Sequence, residues 1–509
     1  MAAVRSARGA RTRIILLAAI AASCLFASVP VLADAGWFES GDTQLRLDLQ
    51  LLNDAEIIRY PLNQWPVPRA AVQYALSNAR DFLATNAAVS QALARVRARA
   101  EAPAKGRLLF DTGIRGGEPG LWRDFDTLAR EDGELGAGME YDSGRYSVDL
   151  RVTAVANPDD GDEVRLDGSQ ASVQWGNWLI SANALDRWWG PGHEGSLILS
   201  NNARPMPTIM VERAAAAPFE TKWLSWIGPW RFNFAMSQME QNREDIDAPL
   251  FMAWRVAFMP LKSLEIGFSR TAQFCGEELK CDLSVFGNLL IGNDNVGKNV
   301  TRENEPGNQM AGIDMRWNSP IGHGPYAVYA QYIGEDQSAY VPVKDIDLVG
   351  FEIWKPMASG ALLQMFAEYA NTICMGLHMN PNRGPFYNCA YNQGLFNADG
   401  YRYHHRVIGY PSDRDARNGA IGAIYSASDG ELWTLTARGS RLNYDGDVDT
   451  TNSVAQVQTD YYSLEAGWKG RLFGEPLSVD LGVQATQPVV GDKDVRLYGF
   501  IGWRHEFQP

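Results

Sequence analysis

Cysteine and histidine are scarce in this chain, five and six among 509 residues. None of the cysteines stands in the C-x-x-C spacing of a zinc site, so that class of metal centre is excluded, and no residue pattern asks for a cofactor. Basic charge is also in deficit: 46 Lys and Arg face 60 Asp and Glu, a net of −14. Phosphate backbones need a basic footprint, which argues against nucleic acid as a partner. Only residues 14–29, IILLAAIAASCLFASV, form a long apolar run. It falls short of the roughly 20 residues a membrane-crossing helix requires. No Pro/Ser-rich linker breaks the chain, so one large unit with a small preface fits better than a string of domains.

What is present begins with a secretory signal. Arg5, Arg8, Arg11 and Arg13 precede the apolar run, and Val31-Leu32-Ala33 supplies the small-residue cleavage pattern before Asp34. Cys24 offers a lipoprotein alternative without the usual leucine ahead of it. Removing residues 1–33 takes away four arginines and no acid, leaving 42 basic against 60 acidic residues, a net of −18. The remaining cysteines form two close pairs, Cys275 with Cys281 and Cys374 with Cys389. In an exported chain local disulfides are the simple reading, with free thiols or a metal site as the alternative.

Residues 34–104 read as a helical preface. Val72, Leu76, Ala79 and Leu83 make one apolar stripe, and Val89, Leu93, Val96 and Ala100 another. Thr85 and Asn86 offer a cap between them, and Pro103 and Gly106 a stop. TQLRLDLQLL, residues 43–52, alternates like a strand, yet Leu45, Leu49 and Leu52 suit the helix that we expect there, closed by the NQWPVP turn.

From 105 to 509 the period becomes two. In YSVDLRV, Tyr146, Val148, Leu150 and Val152 share one face while Ser147, Asp149 and Arg151 share the other. A soluble sandwich alternates too, so connection lengths decide. YDSGR, MPLKS, KPMASG, SASDG and GRLFGE are short, whereas 185–206, 238–250, 271–309, 334–346, 371–417 and 440–457 are long. Short turns on one side and long loops on the other predict an outer-membrane β-barrel of about 18 antiparallel strands. Trp254, Trp433, Trp468 and Trp503 are candidates for the interfacial belts, and Gln364, Glu368, Glu465 and Asp480 for the lumen. Leu497, Ile501, Trp503 and Phe507 form an aromatic-ended last strand of the kind that barrel-insertion machinery reads, and lipid is the expected surrounding. We expect a monomer.

The stretch WWGPGHEGSLILSNNARPMP, residues 188–207, holds the candidate chemistry. GPGHEG matches G-x-G-x-x-G only formally, because a dinucleotide site needs a βαβ unit around it. H-E-x-x-H fails at Leu197, and a His193–Ser196 or His193–Ser200 nucleophile pair lacks a placed acid. Recognition remains: Trp188 and Trp189 offer flat apolar faces, His193, Glu194, Asn201 and Asn202 hydrogen-bonding groups, and Arg204 a charged fork. Sugars need that mixture, although the same residues can merely pin a loop to a barrel wall.

WWGPGHEGSLILSNNARPMPTIMVER resembles the signature segment of the Wzi capsule-assembly proteins. LRLDLQLLNDAEIIRYPLNQWPVP is similar to that family's helical opening, with WPVP where relatives more often have WPLP. The resemblance implies an 18-stranded outer-membrane barrel of a Gram-negative bacterium, closed on its periplasmic side by helices. It further implies a lectin, not an enzyme, that holds capsular polysaccharide at the cell surface.

The loop 371–417 adds Arg383, Arg402, Arg406, Arg414 and Arg417 against Asp399, Asp413 and Asp415, a local net of +2, together with Tyr387, Tyr391, Phe396, Tyr401, Tyr403 and Tyr410. Aromatic faces beside cationic forks suit an acidic polysaccharide, and we nominate Arg402, Tyr403 and Arg406. Ordinary loop packing explains the same composition. His378, His404 and His405 read as hydrogen-bonding groups, and Asn299-Val300-Thr301 as a sequon of no consequence in a bacterium. By residues alone, a diffusion channel for sugars or small solutes and a surface hydrolase remain rivals to the lectin.

Overall fold

A computed structural model describes residues 34–79, 86–101, 106–126, 131–277, 279, 281–291, 308–319, 321, 324–338, 341–376, 384–392 and 399–507. The expected signal peptide, Leu83, Thr85, Pro103, the 299–301 sequon, His378, Arg383 and Phe396 lie outside the described residues.

From Arg107–Gly116 to Asp494–Phe507 the strands run up and down, each antiparallel to its neighbours, and those two terminal strands pair to close the cylinder. The short segment Val164–Arg165 and the strand Gln170–Trp175 both pair with Tyr146–Ala156, so they share one position. The barrel therefore has 18 staves. Closure follows from the surroundings, because hydrocarbon offers backbone N–H and C=O groups no partner at a free sheet edge.

The two faces have the expected chemistry. Leu150, Val152, Met365, Leu464 and Ile501 lie exposed on the outside, while Asp149, Gln364, Glu368, Glu465 and Asp480 are buried inside. The terminal strand alternates in the same sense, with Leu497, Ile501, Trp503 and Phe507 outward. Trp433 and Trp468 pair across neighbouring strands near the short-turn end, with ring centroids 6.1 Å apart.

The preface is three helices: α1 (Thr43–Asp54), α2 (Arg69–Ser77) and α3 (Ala87–Glu101). Asp42 caps α1 by accepting from Leu45 N at 3.0 Å, and Asn86 accepts from Ala88 N at 3.0 Å at the start of α3. The strand-like alternation of TQLRLDLQLL has a physical reason. Leu45, Leu47, Leu49, Leu51 and Leu52 are all buried, as are Arg46, Asp48 and Gln50 between them, because α1 is covered on every side. It packs with Trp354, Leu362, Ile424 and Leu432 of the barrel. Ion pairs from Arg95 of α3 to Asp48, and from Arg316 of the wall to Asp54, hold it there.

Two features differ from expectation. Residues 334–346 are largely strand: Tyr326–Ser338 and Val341–Pro356 form a long hairpin whose pairing continues past the polar stretch. Residues 214–229, joining Thr208–Arg213 to Trp230–Gln238, make a long connection at the short-turn end and expose Trp223 and Trp226. Trp254 lies toward the long-loop end, away from the Trp433–Trp468 pair, and packs beside a helix in the loop after Leu264–Phe274, α4 (Leu283–Ile291). Both expected disulfides form, Cys275–Cys281 with Cα atoms 4.9 Å apart and Cys374–Cys389 at 6.0 Å.

Candidate functional site

Residues 184–207 turn inward and fill the lumen. Trp188 and Trp189 pair as a short antiparallel ladder with Trp65 and Gln64 of the NQWPVP turn, so the two segments that carry the family resemblance meet in space. Gly190 N donates to Asn63 O at 2.9 Å. Arg46 donates to the carbonyls of Pro191 and Gly192 at 2.9 and 2.8 Å and lies 4.3 Å from the Phe125 ring centroid. Both indoles are fully buried, and neither offers an open face to a sugar.

The glycines of GPGHEG serve close packing. A Cβ on Gly195 would stand 2.4 Å from the Tyr410 ring, and one on Gly192 2.3 Å from Gly195 O. Any side chain there would force the plug off its neighbours.

His193 and Glu194 are wall fasteners. His193 Nε2 and Glu352 are 2.8 Å apart, its ring stacks on Phe366 at 4.3 Å, and its backbone N–H donates to Glu368 at 2.8 Å. Burial holds this imidazole below its ordinary pKa, partly opposed by the hydrogen bond to Glu352. Glu194 pairs with Arg438, which also holds Asp124 at 2.8 Å. Ser196 donates to Trp189 O at 2.5 Å, and Ser200 to Gly409 O at 2.5 Å. The serines are thus spent on backbone carbonyls, and His193 on a carboxylate.

Asn201 accepts from Ser40 at 2.9 Å and donates to Phe125 O at 3.0 Å. Asn202 donates to Val407 O at 2.9 Å. Arg204 meets Asp160, Asp162 and Asp167 at 2.5, 2.9 and 3.0 Å. Asp160, Asp162 and His404 offer ligand atoms within 4.8 Å of one another, but the Arg204 guanidinium already supplies both carboxylates with a positive charge.

The described parts of the loop 371–417 clasp this plug. Tyr391 OH donates to Leu197 O at 2.9 Å and Tyr401 OH to Ile198 O at 2.8 Å. Arg402 is buried in a pair with Asp413 at 2.6 Å. Tyr403, also buried, sits opposite Arg406 in a two-residue ladder. Burial pushes the Asp413 carboxyl up, but Arg402 and Arg414 more than reverse this and leave it below the usual carboxylate range.

At the long-loop end, above the plug, lies a cavity of about 440 Å³ lined by residues that include Leu121, Asn202, His405, Arg406, Gln484 and Arg496. Arg406 donates to Asn202 O and Oδ1, both at 2.9 Å. Arg496 pairs with Glu118 and Asp494. Of the ten nominated residues, Asn202 and Arg406 line this mouth, and the other eight pack below or beside it. Gln484 and Arg496 escaped the sequence reading because they are ordinary inward positions of late strands. Their inward phase was readable, but their nearness to residue 406 arises only when the sheet closes.

The chain matches the family of capsule assembly protein Wzi over residues 114–496. An uncharacterised 55.8 kDa protein from the cps region of Klebsiella pneumoniae is 33% identical over 335 residues. That stretch is 64% of each chain, so under two thirds of that relative is spanned. The solved structure of Wzi from Escherichia coli, described as a carbohydrate-binding β-barrel and an outer-membrane protein involved in group 1 capsule assembly, aligns with a TM-score of 0.78 and 25% identity. The alignment covers 93% of this chain and all of that one.

Proposed function

Since the chain belongs to the Wzi family of capsule assembly proteins, we propose that it is an outer-membrane lectin holding capsular or other surface polysaccharide at the cell surface, with no reaction catalysed. The observation that carries this reading is the mouth of about 440 Å³, polar and bearing two arginines, set over a lumen packed with side chains. A plugged barrel is poorly built to pass solutes, whereas a walled basin on its floor is built to hold a chain end or a sugar segment.

Long loops of bacterial barrels face outward and short turns face the periplasm, which supports a mouth at the cell exterior and helices in the periplasm. The direct contacts in this reading are Arg406, His405 and Arg496, with the buried Asn202 and Gln484 bordering the mouth beneath them. Trp188, Trp189, His193, Glu194, Asn201, Arg204, Arg402 and Tyr403 hold the floor on which these stand. Arg406 favours an acidic polymer, whose carboxylates it would pair, whereas Arg496 is already shared by Glu118 and Asp494 of the same lining. A closed barrel has no free edge, so a single copy suffices, and Asp494–Phe507 is the strand offered to the insertion machinery.

A glycan-binding screen on detergent-refolded protein tests the reading, with Arg406→Ala beside the wild type. We expect retention of a surface polymer of unchanged length, and weaker retention by the variant. Polymer shortened on incubation, no glycan bound, or steady large conductance in a planar bilayer would each overturn it.

A further inference from the structure

The helix α4 lies outside the barrel. Outward positions of three neighbouring strands, Phe234, Met252, Trp254, Ala272 and Phe274, form one cluster with Val285, Phe286 and Leu289 of the helix. The Phe286 ring stands 6.4 Å from Phe234 and 6.3 Å from Phe274. Met252, Ala272 and Phe274 face the same way as exposed Phe268, yet they are almost wholly covered. Arg270 and Gln309, also on outward positions, hydrogen-bond to each other beside this cluster, where the apolar band of the wall gives way to polar surface.

The helix is held to the wall from its first turn. Cys275 ends the strand and Cys281 precedes the helix, so their disulfide keeps the helix start beside the strand end. Asp282 caps it, accepting from Ser284 N and Val285 N at 2.9 Å. The sequence LSVFGNLLI has no charge, and Leu283 is 88% exposed. Such a helix against a water-facing wall would present apolar surface to water for no return.

We propose that α4 is an interfacial anchor, immersed at the boundary of headgroups and acyl chains in the outer leaflet, with lipid chains covering the side turned away from the barrel. The argument for lipid over a protein partner is continuity. The wall on which α4 rests is the lipid-facing surface, and the helix extends its apolar cluster; the charge of Arg270, opposite Trp254, is buried there with Gln309 as a hydrogen-bond partner. The anchor fixes the start of the loop that follows Phe274 at the membrane surface, on the flank of the rim across the barrel from the strands that line the mouth, and so gives that flank a fixed height.

Spin labels test this in the full-length protein reconstituted into phosphatidylcholine vesicles, with the native disulfides intact. Gly287→Cys is the reporter, since a side chain there meets nothing within 4 Å. Ile313→Cys on the outer wall marks lipid, and Asp447→Cys on a loop marks water. We expect the label at 287 to collide with oxygen in preference to a nickel chelate, as at 313. Nickel access like that at 447 would put the helix in water and overturn the proposal. Low access to both reagents would show a protein cover, such as a second copy of the chain, and overturn it equally.

Discussion

Asp54, the last residue of α1, meets Arg316 of the barrel wall through two hydrogen bonds of 2.8 and 2.7 Å. Arg316 also holds Glu352, and Glu352 holds His193 of the inward segment. Bundle, wall and plug are thus joined through one buried guanidinium.

Removing the first link should loosen the bundle and leave the barrel intact. Stripping one partner from a buried ion pair costs about 3–5 kcal/mol, less where the remaining charge keeps a second partner, as Arg316 keeps Glu352. For Asp54→Ala we expect faster proteolysis of the helices and intermittent current in a planar bilayer, with the heat-resistant gel mobility of a folded barrel. Unchanged protease resistance would show that apolar packing of α1 alone seals that end.

Arg402 and Arg406 should behave differently although they are four residues apart. Arg402→Ala leaves Asp413 buried without its closest cation, a loss on the order of 3 kcal/mol that should appear as proteolysis of the loop 399–416. Arg406→Ala should leave the loop intact and weaken polymer binding, most at low salt where exposed charges are least screened. Equal protease sensitivity in the two variants would contradict the division of labour seen in the structure.

Acid should act in two stages. His193 has a depressed pKa, so its contribution is present above the unfolded value near 6.5 and fades as pH falls through and below it. Asp413 is also depressed, and its contribution persists until pH falls below about 4, where the unfolded carboxyl takes up a proton first. Hydrogen exchange of residues 188–200 across that range should show an early loss of protection that His193→Gln removes. An early loss that survives the substitution would assign it to another group.

The Cys374–Cys389 bridge ties Leu362–Met375 to the loop that clasps the plug. A disulfide closing a loop of this size contributes about 2–4 kcal/mol. Replacing both cysteines by alanine should speed proteolysis between residues 376 and 416 and lower polymer retention together. If retention alone fell, the bridge would serve the mouth directly.

Periodicity carried the reading of the walls. Tyr146, Leu150 and Val152 against Ser147 and Asp149 told which face meets lipid, because a strand sends successive side chains to opposite sides whatever its neighbours. Connection lengths gave the up-and-down order and five of the long loops, and missed those between Arg107–Gly116 and Gly133–Asp142 and between Tyr146–Ala156 and Gln170–Trp175. The loop expected at 334–346 failed because a polar stretch at a strand end can still pair once a neighbour of equal length is present.

Composition alone cannot say whether a Trp, Asn or Arg is an anchor or a contact. Trp188, Asn201 and Arg402 have the chemistry of sugar ligands and are buried away from the mouth; Asn202 is as buried as Asn201 but borders the mouth, and the half-buried Arg406 lines it. What separates them is position after closure, when Arg496 and Gln484 arrive beside a loop from the middle of the chain. Local pattern therefore determined the cylinder and its two faces, since alternation is a property of consecutive residues. Only the tertiary structure decided which side chains are floor and which are rim, because burial depends on neighbours hundreds of residues away.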